Sequence, residues 1–315
     1  MPTTTVASVS MTVGDMERSI DFYTTILSCI KVNDREVAGQ DIDQLYGLDA
    51  ITLRLVTLQL GEQTMELIEF ITPKGRPIPP NLRSFDRAFQ HIAIVVSDME
   101  LAYQQIEHYD GPYGILSKTS SIPQTLPDWN LVAGGIQAFY FKDPDGHNLE
   151  LIHFPKGKGK DKWHQPTLSL FLGIDHTAIV IANTIASRAF YCDLLGLKLQ
   201  QESRNLGLEQ EHLSDVKNAR VYVSSLSASS GLGIELLEYM EPHGGRPIPI
   251  DTHANDLWFW QTTIVVEDLV DQVQRLKSYG FPLVDTKGIE IPALGLKQSL
   301  LIRDPDGHTM RLTEI

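Results

Sequence analysis

Residues 139–154, FYFKDPDGHNLELIHF, contain two strand-like runs joined by a turn. Pro144 restricts its own φ and Gly146 tolerates the backbone twist at a tight turn, so the segment predicts a β-hairpin. The second run carries one acid, Glu150, between two leucines. An ionised carboxylate beside an apolar core is costly unless a cation or a hydrogen-bond donor meets it. The hairpin therefore predicts a buried acid with a partner, and a metal ion would be such a partner.

The same motif recurs in the second half of the chain. DPDGH occurs at 143–147 and at 304–308, and GRPIP occurs at 75–79 and at 245–249. Such self-similarity indicates copied structural units. Each half divides again, because four segments share an alternating apolar strand, a capping residue, a short amphipathic helix and further strands. The predicted helix caps are Asp15, Asp98, Asn183 and Asp268.

These repeats predict an α+β fold of four βαβββ units in two domains. The predicted domains are 1–155 and 171–315, and units one to four are predicted at 6–73, 89–155, 173–241 and 258–315. The run PKGKGKDK has glycines between its lysines, so 156–170 is predicted to be a solvated basic linker. The proline-rich stretch 109–135 is predicted to be a loop over a site, with a surface excursion as the alternative.

Composition restricts the partners of the protein. At 42% hydrophobic and 21% charged residues, the chain is typical of a soluble globular protein. The net charge of −14 argues against nucleic acid and anionic membranes, which are held by basic surfaces. The sequence has no signal-peptide pattern and no apolar run of membrane-spanning length, and its two cysteines form no framework. We therefore expect a cytoplasmic monomer or homodimer that binds a small molecule and neither nucleic acid nor membrane.

The four units resemble the vicinal oxygen chelate superfamily, in which glyoxalase I, methylmalonyl-CoA epimerase, extradiol dioxygenases and metal-free bleomycin-resistance proteins are found. The resemblance is carried by HIAIVVSDM, HTAIVIAN, FYTTIL, FYCDLLG and DPDGHNLEL, and it extends over nearly the whole chain. It implies two paired half-barrel modules. It also implies that two units surround one metal ion, and that each unit can supply one ligand from its first strand and one from its last.

At these implied ligand positions, units two and three keep complete pairs. His91 precedes Glu150 by 59 residues, and His176 precedes Glu235 by 59 residues. A single histidine at the start of a strand is more often an ordinary edge residue, but the repeated spacing before an acid favours ligation. We predict one metal site formed by His91, Glu150, His176 and Glu235. The other two units have Ser8 and Glu66, and Gln261 and Arg311, at these positions.

The pairing of the units decides how many sites exist. If sequence neighbours pair, as in extradiol dioxygenases, the predicted ligands are divided between two sites. If unit two pairs with three and unit one with four, as in single-chain glyoxalases, the ligands meet in one site and Arg311 can neutralise Glu66 without a metal. We prefer the second arrangement because it groups the intact units. Whether Ser8, Glu66, Gln261 and Arg311 form a second functional site stays open.

Two imidazoles and two carboxylates suit one divalent ion, which could be Ni, Zn, Co, Fe or Mn. The resemblance implies that the ion polarises vicinal oxygens of the substrate and stabilises an enediolate, with Glu150 or Glu235 as the general base. We therefore predict a glyoxalase- or epimerase-like lyase or isomerase acting on a small carbonyl compound. His147 and His308, in the DPDGH turns, are expected to face solvent.

Two alternatives remain at this stage. An Fe(II) extradiol dioxygenase would share much of the closing motif, but Leu131, Val132 and Ala133 stand where that family has a histidine. A metal-free protein that binds a drug or metabolite is the other alternative. Relatives of that kind generally lack the ligand residues, which are present here.

Overall fold

The computed structural model describes residues 4–109, 120, 122–281, 288–291 and 295–314. Its strands form two curled sheets, and each sheet joins a unit from the first half of the chain to a unit from the second. The predicted α+β fold of four βαβββ units in two half-barrel modules is confirmed. Within the described ranges, no helix is long and apolar enough to cross a membrane.

Each unit has the same order of elements, with small additions in units one and three. Unit one contains β1 (Thr5–Thr12), α1 (Met16–Thr25), β2 (Ile30–Ala38), α2 (Gln40–Tyr46), β3 (Thr52–Leu60) and β4 (Gln63–Thr72). Unit two contains β5 (Phe89–Val96), α3 (Met99–Glu107), β6 (Gln124–Thr125), β7 (Gln137–Lys142) and β8 (Asn148–His153). Unit three contains β9 (Phe171–Ile181), α4 (Thr184–Arg188), β10 (Lys198–Leu206), α5 (Leu208–Ser214), β11 (Arg220–Ser227), β12 (Ser230–Gly231) and β13 (Gly233–Glu241). Unit four contains β14 (Trp260–Val265), α6 (Leu269–Ser278), β15 (Ile289–Ile291), β16 (Leu296–Arg303) and β17 (Thr309–Glu314).

The first helix of each unit begins at its predicted cap. The side chain of Asp15 accepts a hydrogen bond from the backbone N–H of Arg18, and the other three caps make the equivalent bond. The short helices α2 and α5 were not predicted. Each follows a glycine and ends at a residue in the left-handed region, Gly47 in one case and Asp215 in the other.

The sheets show which units pair. The eight-stranded sheet has the order β10-β11-β13-β9-β5-β8-β7-β6 and therefore joins unit three to unit two. The nine-stranded sheet has the order β15-β16-β17-β14-β1-β4-β3-β2, with β12 attached to β1, and joins unit four to unit one. The preferred pairing is confirmed and the pairing of sequence neighbours is wrong. The domain division at 1–155 and 171–315 stays a prediction.

Strand alternation explains how an acid can stand between two leucines. Successive side chains of a strand point to opposite faces of the sheet. Leu149 and Leu151 are fully buried in the main core, which also contains helix residues such as Phe22. Glu150 lies on the other, concave face of the sheet, together with His91 of the neighbouring first strand.

The expectation that His147 and His308 face solvent is wrong, because they are only 1% and 3% exposed. His147 Nδ1 lies 2.8 Å from Asp143 Oδ2, and His147 Nε2 lies 2.7 Å from the carbonyl oxygen of Leu257. The hydroxyl of Tyr23 also donates to Asp143 Oδ2, at 3.0 Å. The turn thus packs between its own sheet and units one and four, which removes it from solvent.

The second DPDGH turn, at 304–308 in unit four, packs against unit three of the other module. Its His308 Nε2 lies 2.8 Å from the carbonyl oxygen of Val180 on β9. Tyr191 donates its hydroxyl hydrogen to Asp304 Oδ2 at 3.0 Å. Each module therefore presents one turn to the other, and the two turns connect the modules.

Candidate metal centre

The concave face of the eight-stranded sheet brings the four predicted ligands together. They are His91 on β5, Glu150 on β8, His176 on β9 and Glu235 on β13. The strands β5 and β9 run antiparallel. Ala93, two residues after His91, therefore lies beside His176, and Ala178, two residues after His176, lies beside His91. Each alanine also stands beside one of the two glutamates. The small alanine side chains leave the centre of this face open.

Three donor atoms converge at this centre. His91 Nε2 lies 3.2 Å and His176 Nε2 lies 3.6 Å from Glu150 Oε2, and the two nitrogens are 3.4 Å apart. Metal–ligand bonds of about 2.0–2.2 Å at tetrahedral or octahedral angles place neighbouring donors about 2.8–3.6 Å apart. All three side chains are buried. The spacing therefore fits a single metal ion bound by both histidines and Glu150.

The hydrogen bonding of the Glu150 carboxylate favours a cation at this centre. Glu150 Oε2 is buried and has no hydrogen-bond partner in the part of the chain that the structure describes. The histidine nitrogens lie near it, but without hydrogen-bond geometry. A buried carboxylate oxygen without a partner is costly, and a bound cation would remove that cost.

Glu235 lies at the edge of the centre. Its Oε2 is 3.4 Å from His176 Nε2, but it falls outside the compact group of three donors. Its Oε1 accepts a hydrogen bond of 2.6 Å from Ser225 Oγ. The Glu235 side chain is 21% exposed, whereas that of Glu150 is 7% exposed. Glu235 can thus serve as a fourth ligand or face a bound molecule.

The residue before each histidine orients its ring. His176 Nδ1 lies 3.1 Å from Asp175 Oδ2, and His91 Nδ1 contacts Gln90 Oε1. Such contacts at Nδ1 fix the ring with Nε2 directed to the metal position. Burial by itself lowers the pKa of His176, but the carboxylates of Glu235, Asp175 and Glu150 raise it to about 9. A metal bound at Nε2 must displace this proton.

The linker 156–170 takes part in the site. Lys160 Nζ and Trp163 Nε1 each lie 2.9 Å from Asp175 Oδ1. Trp163 belongs to a short 3₁₀ turn at Asp161–His164 and is 8% exposed. The expectation of a solvated linker is therefore wrong for Trp163, whereas Lys160 is exposed as expected; both side chains contact Asp175 beside the histidine. The lysine–glycine pattern of the linker does not predict the contacts with Asp175.

A cavity of about 350 Å³ opens onto the four predicted ligands. Leu126, Val132 and Ala133, from the stretch 109–135, line it together with β-strand residues. The prediction of a loop over a site is confirmed for these residues, while 110–119 and 121 lie outside the described residues. Much of this lining is apolar, so the site offers a small molecule a partly desolvated environment.

The nine-stranded sheet has a different centre at the equivalent positions. Ser10 lies beside Gln261 and beside Glu66. It has the position that Ala93 has in the other sheet, where Ala93 lies beside His176 and Glu150. Arg311 Nη2 donates to Glu66 Oε2 at 2.8 Å, and Ser10 Oγ donates to the same oxygen at 2.8 Å. Burial by itself raises the pKa of Glu66, but Arg311 and Ser10 lower it overall. Arg311 neutralises Glu66, as expected.

Apolar packing fills this second module. Ile42 and Leu45 from α2 pack in one cluster with Phe70 and Phe259. Ser8 and Gln261 are buried, at 7% and 0% exposure. Within the described ranges, the only group of acids, histidines and cysteines with metal-like spacing is the one in the other module.

Comparisons with known proteins agree with this architecture. The family model described as Glyoxalase/Bleomycin resistance protein/Dioxygenase superfamily matches residues 5–151 and 173–312. Glyoxalase I from Zea mays is similar in structure, with a TM-score of 0.65 and 17% identity over 99% of this chain and 92% of that one. A putative dioxygenase from Bacillus subtilis subsp. subtilis str. 168 has a TM-score of 0.56 and 14% identity, over 99% of this chain and 86% of that one. At these identities the structural likeness shows the fold alone. A comparison with curated proteins finds no match.

Proposed function

Because the chain belongs to the glyoxalase/bleomycin resistance protein/dioxygenase superfamily, we propose that it is a metal-dependent enzyme of the glyoxalase or epimerase kind. Its reaction would be an isomerisation or lyase step that moves a proton next to a carbonyl group. The observation that carries this proposal is the convergence of His91, Glu150 and His176 on one point, with Glu235 beside them. This donor set suits a divalent ion such as Ni, Zn, Co, Fe or Mn.

His91, Glu150 and His176 would hold the ion, and Glu235 would be a fourth ligand or the base. When bound, the ion would supply Lewis-acid polarisation of two neighbouring substrate oxygens. Asp175 and Gln90 hold the two imidazole rings in orientation. The unpartnered Oε2 of Glu150 fits this role, since a cation would satisfy it.

Glu235 is the better placed of the two glutamates to act as general base. Ser225 fixes its Oε1, which leaves Oε2 on the cavity side next to His176. We propose that Oε2 takes a proton from the carbon next to the substrate carbonyl and returns it to the adjacent carbon. Glu150 is more deeply buried and stands between both histidines, so its role would be ligation.

Metal content and proton exchange test this proposal together. The protein is purified without chelator and its metal content is measured. The loaded protein is then incubated with hydroxyacetone in deuterated water, and exchange at the carbon next to the carbonyl is followed by NMR. We expect Glu235→Gln to slow the exchange about 100-fold or more while Glu150 and both histidines keep the metal. A protein without metal, or a Glu235→Gln variant that exchanges at the native rate, would overturn the proposal.

A second candidate, an Fe(II) extradiol dioxygenase, has one specific observation in its favour. The compact donor group consists of two histidines and one carboxylate, which is the set typical of non-haem Fe(II) oxygenases. Units two and three supply it jointly. Oxygen uptake with catechol after anaerobic loading with Fe(II) tests this candidate. Here Glu235→Gln should keep turnover, because the triad does not need Glu235, whereas the isomerase proposal requires that side chain.

A further inference from the structure

The chemistry of the cavity walls restricts the substrate. We infer that the site takes an uncharged vicinal-oxygen compound with an alkyl or aryl part on one side and hydroxyl, carbonyl or amide groups on the other. This inference rests on the proposed function, because it concerns a molecule bound beside the metal in the same cavity. It goes beyond that function by excluding carboxylates, phosphates and anionic conjugates.

The charge of the cavity disfavours an anionic group on the substrate. Among the described lining residues, the carboxylates belong to Glu150, Asp175 and Glu235, and the only lysine or arginine is Lys160. Lys160 Nζ lies 2.9 Å from Asp175 Oδ1, so these two charges compensate each other. A divalent ion would then balance the two glutamates. No positive charge is left in the described lining to bind an anionic group of the substrate.

Unit two contributes an apolar wall to the cavity. Apart from its predicted ligands and Tyr140, every described lining residue from this unit is apolar. These residues are Leu126, Val132, Ala133, Ile136, Ala138, Ile152 and Phe154. Burying an alkyl or aryl group against such a wall is favourable in proportion to the apolar area removed from water.

Unit three contributes the opposite wall, which carries uncharged polar groups. Every glutamine, asparagine and serine in the described lining comes from unit three, where these residues stand among valines and leucines. Examples are Gln200, Gln201, Ser203, Asn205 and Gln210. Amides and hydroxyls donate and accept hydrogen bonds without charge, so they suit hydroxyl and carbonyl groups of a ligand. Gln200 and Gln201 are exposed and lie where a ligand can reach them from solvent.

The experiment uses three probes that share one chelating head. The full-length protein is loaded with Co(II) and titrated with benzohydroxamic acid, its 4-hydroxymethyl derivative and its 4-carboxy derivative, with the visible Co(II) bands as the readout. We expect the two probes without a carboxylate, which carry one negative charge fewer, to bind about tenfold or more tightly than the 4-carboxy derivative. Equal or tighter binding of the carboxylate would overturn the inference.

The variant Gln201→Lys tests the polar wall. A cation placed there should raise the affinity for the carboxylate probe relative to benzohydroxamic acid by about tenfold. An unchanged ratio would contradict the assignment of this wall. The proposed function and the substrate class can be contradicted separately. A native protein that takes up no Co(II) would overturn the proposed function. Uptake of Co(II) without discrimination between the probes would overturn only the substrate class.

Discussion

The Nε2 atoms of His91 and His176 lie 3.4 Å apart, although 85 residues separate the two side chains in the sequence. The antiparallel pairing of β5 with β9 brings the two atoms together, because it places His91 beside Ala178 and His176 beside Ala93. A metal bound there would depend on both units at once.

Replacing either histidine should therefore remove all of the metal. We expect His91→Ala and His176→Ala each to reduce the metal content from about one ion per chain to a small fraction, as measured by elemental analysis of protein purified without chelator. His164→Ala, at an exposed histidine of the linker, is the matched control and should keep the metal. Retention of half the metal in either variant would instead indicate two independent sites.

Asp175→Asn should weaken metal binding without removing a ligand. Asp175 fixes the ring of His176 through Nδ1, and loss of such an outer contact typically weakens metal affinity by about 10–100-fold. Competition with a chelating dye measures the change. Asp161→Asn alters an exposed acid of the linker 156–170 and should bind metal as the native protein does. An unchanged affinity in Asp175→Asn would show that the contact does not support the site.

Arg311→Met should destabilise the second module, because it leaves the Glu66 carboxylate without its cation. Breaking a buried ion pair from one side costs about 3–5 kcal/mol, and the partial exposure of Glu66 favours the lower end. Urea unfolding measures this cost. Adding Glu66→Gln should restore most of the loss. Arg220→Met, which breaks an exposed pair with Glu241, should cost less than about 1 kcal/mol.

His147→Gln should reduce stability in a pH-dependent way. Burial by itself lowers the pKa of His147, but Asp143 raises it overall. A raised folded-state pKa contributes stability that is fully present below the unfolded value of about 6.5 and is lost as the pH rises through the folded value. We expect a loss of about 2 kcal/mol near pH 6 that shrinks at alkaline pH, measured by urea unfolding.

The stability contributed by the pair of Asp143 and His147 is also lost at low pH, because Asp143 becomes protonated there. Burial by itself raises the pKa of Asp143, but His147 lowers it overall. Its contribution is therefore present above the unfolded value of about 3.9 and is lost as the pH falls through the lowered folded value. His164→Gln, at an exposed position, is the control variant for the same urea unfolding series. A pH-independent loss in His147→Gln would indicate a packing effect rather than a charged pair.

Local sequence features predicted the units, and the resemblance to the superfamily implied the positions of the candidate ligands. Capping residues such as Asp15, together with period-two strands, act within a few residues of chain, so they can be recognised without a fold. The equal spacing of His91 from Glu150 and of His176 from Glu235 followed from the repeat. The burial of His147 could not be predicted, because its partner Leu257 comes from a distant part of the chain. The contact of Lys160 with Asp175 could not be predicted either, because no local sequence pattern specifies it.

Periodicity and repeats in the sequence were sufficient to predict four βαβββ units, and the resemblance to a known superfamily indicated which two of them carry complete pairs of candidate ligands. Which units share a sheet became evident only from the packing of the folded chain. The first strand of a unit has an open edge whose backbone groups can bond to another first strand, so the choice depends on packing between units. That choice brings His91 to His176, and Arg311 to Glu66, and it makes one centre suited to a metal ion and the other an ion pair.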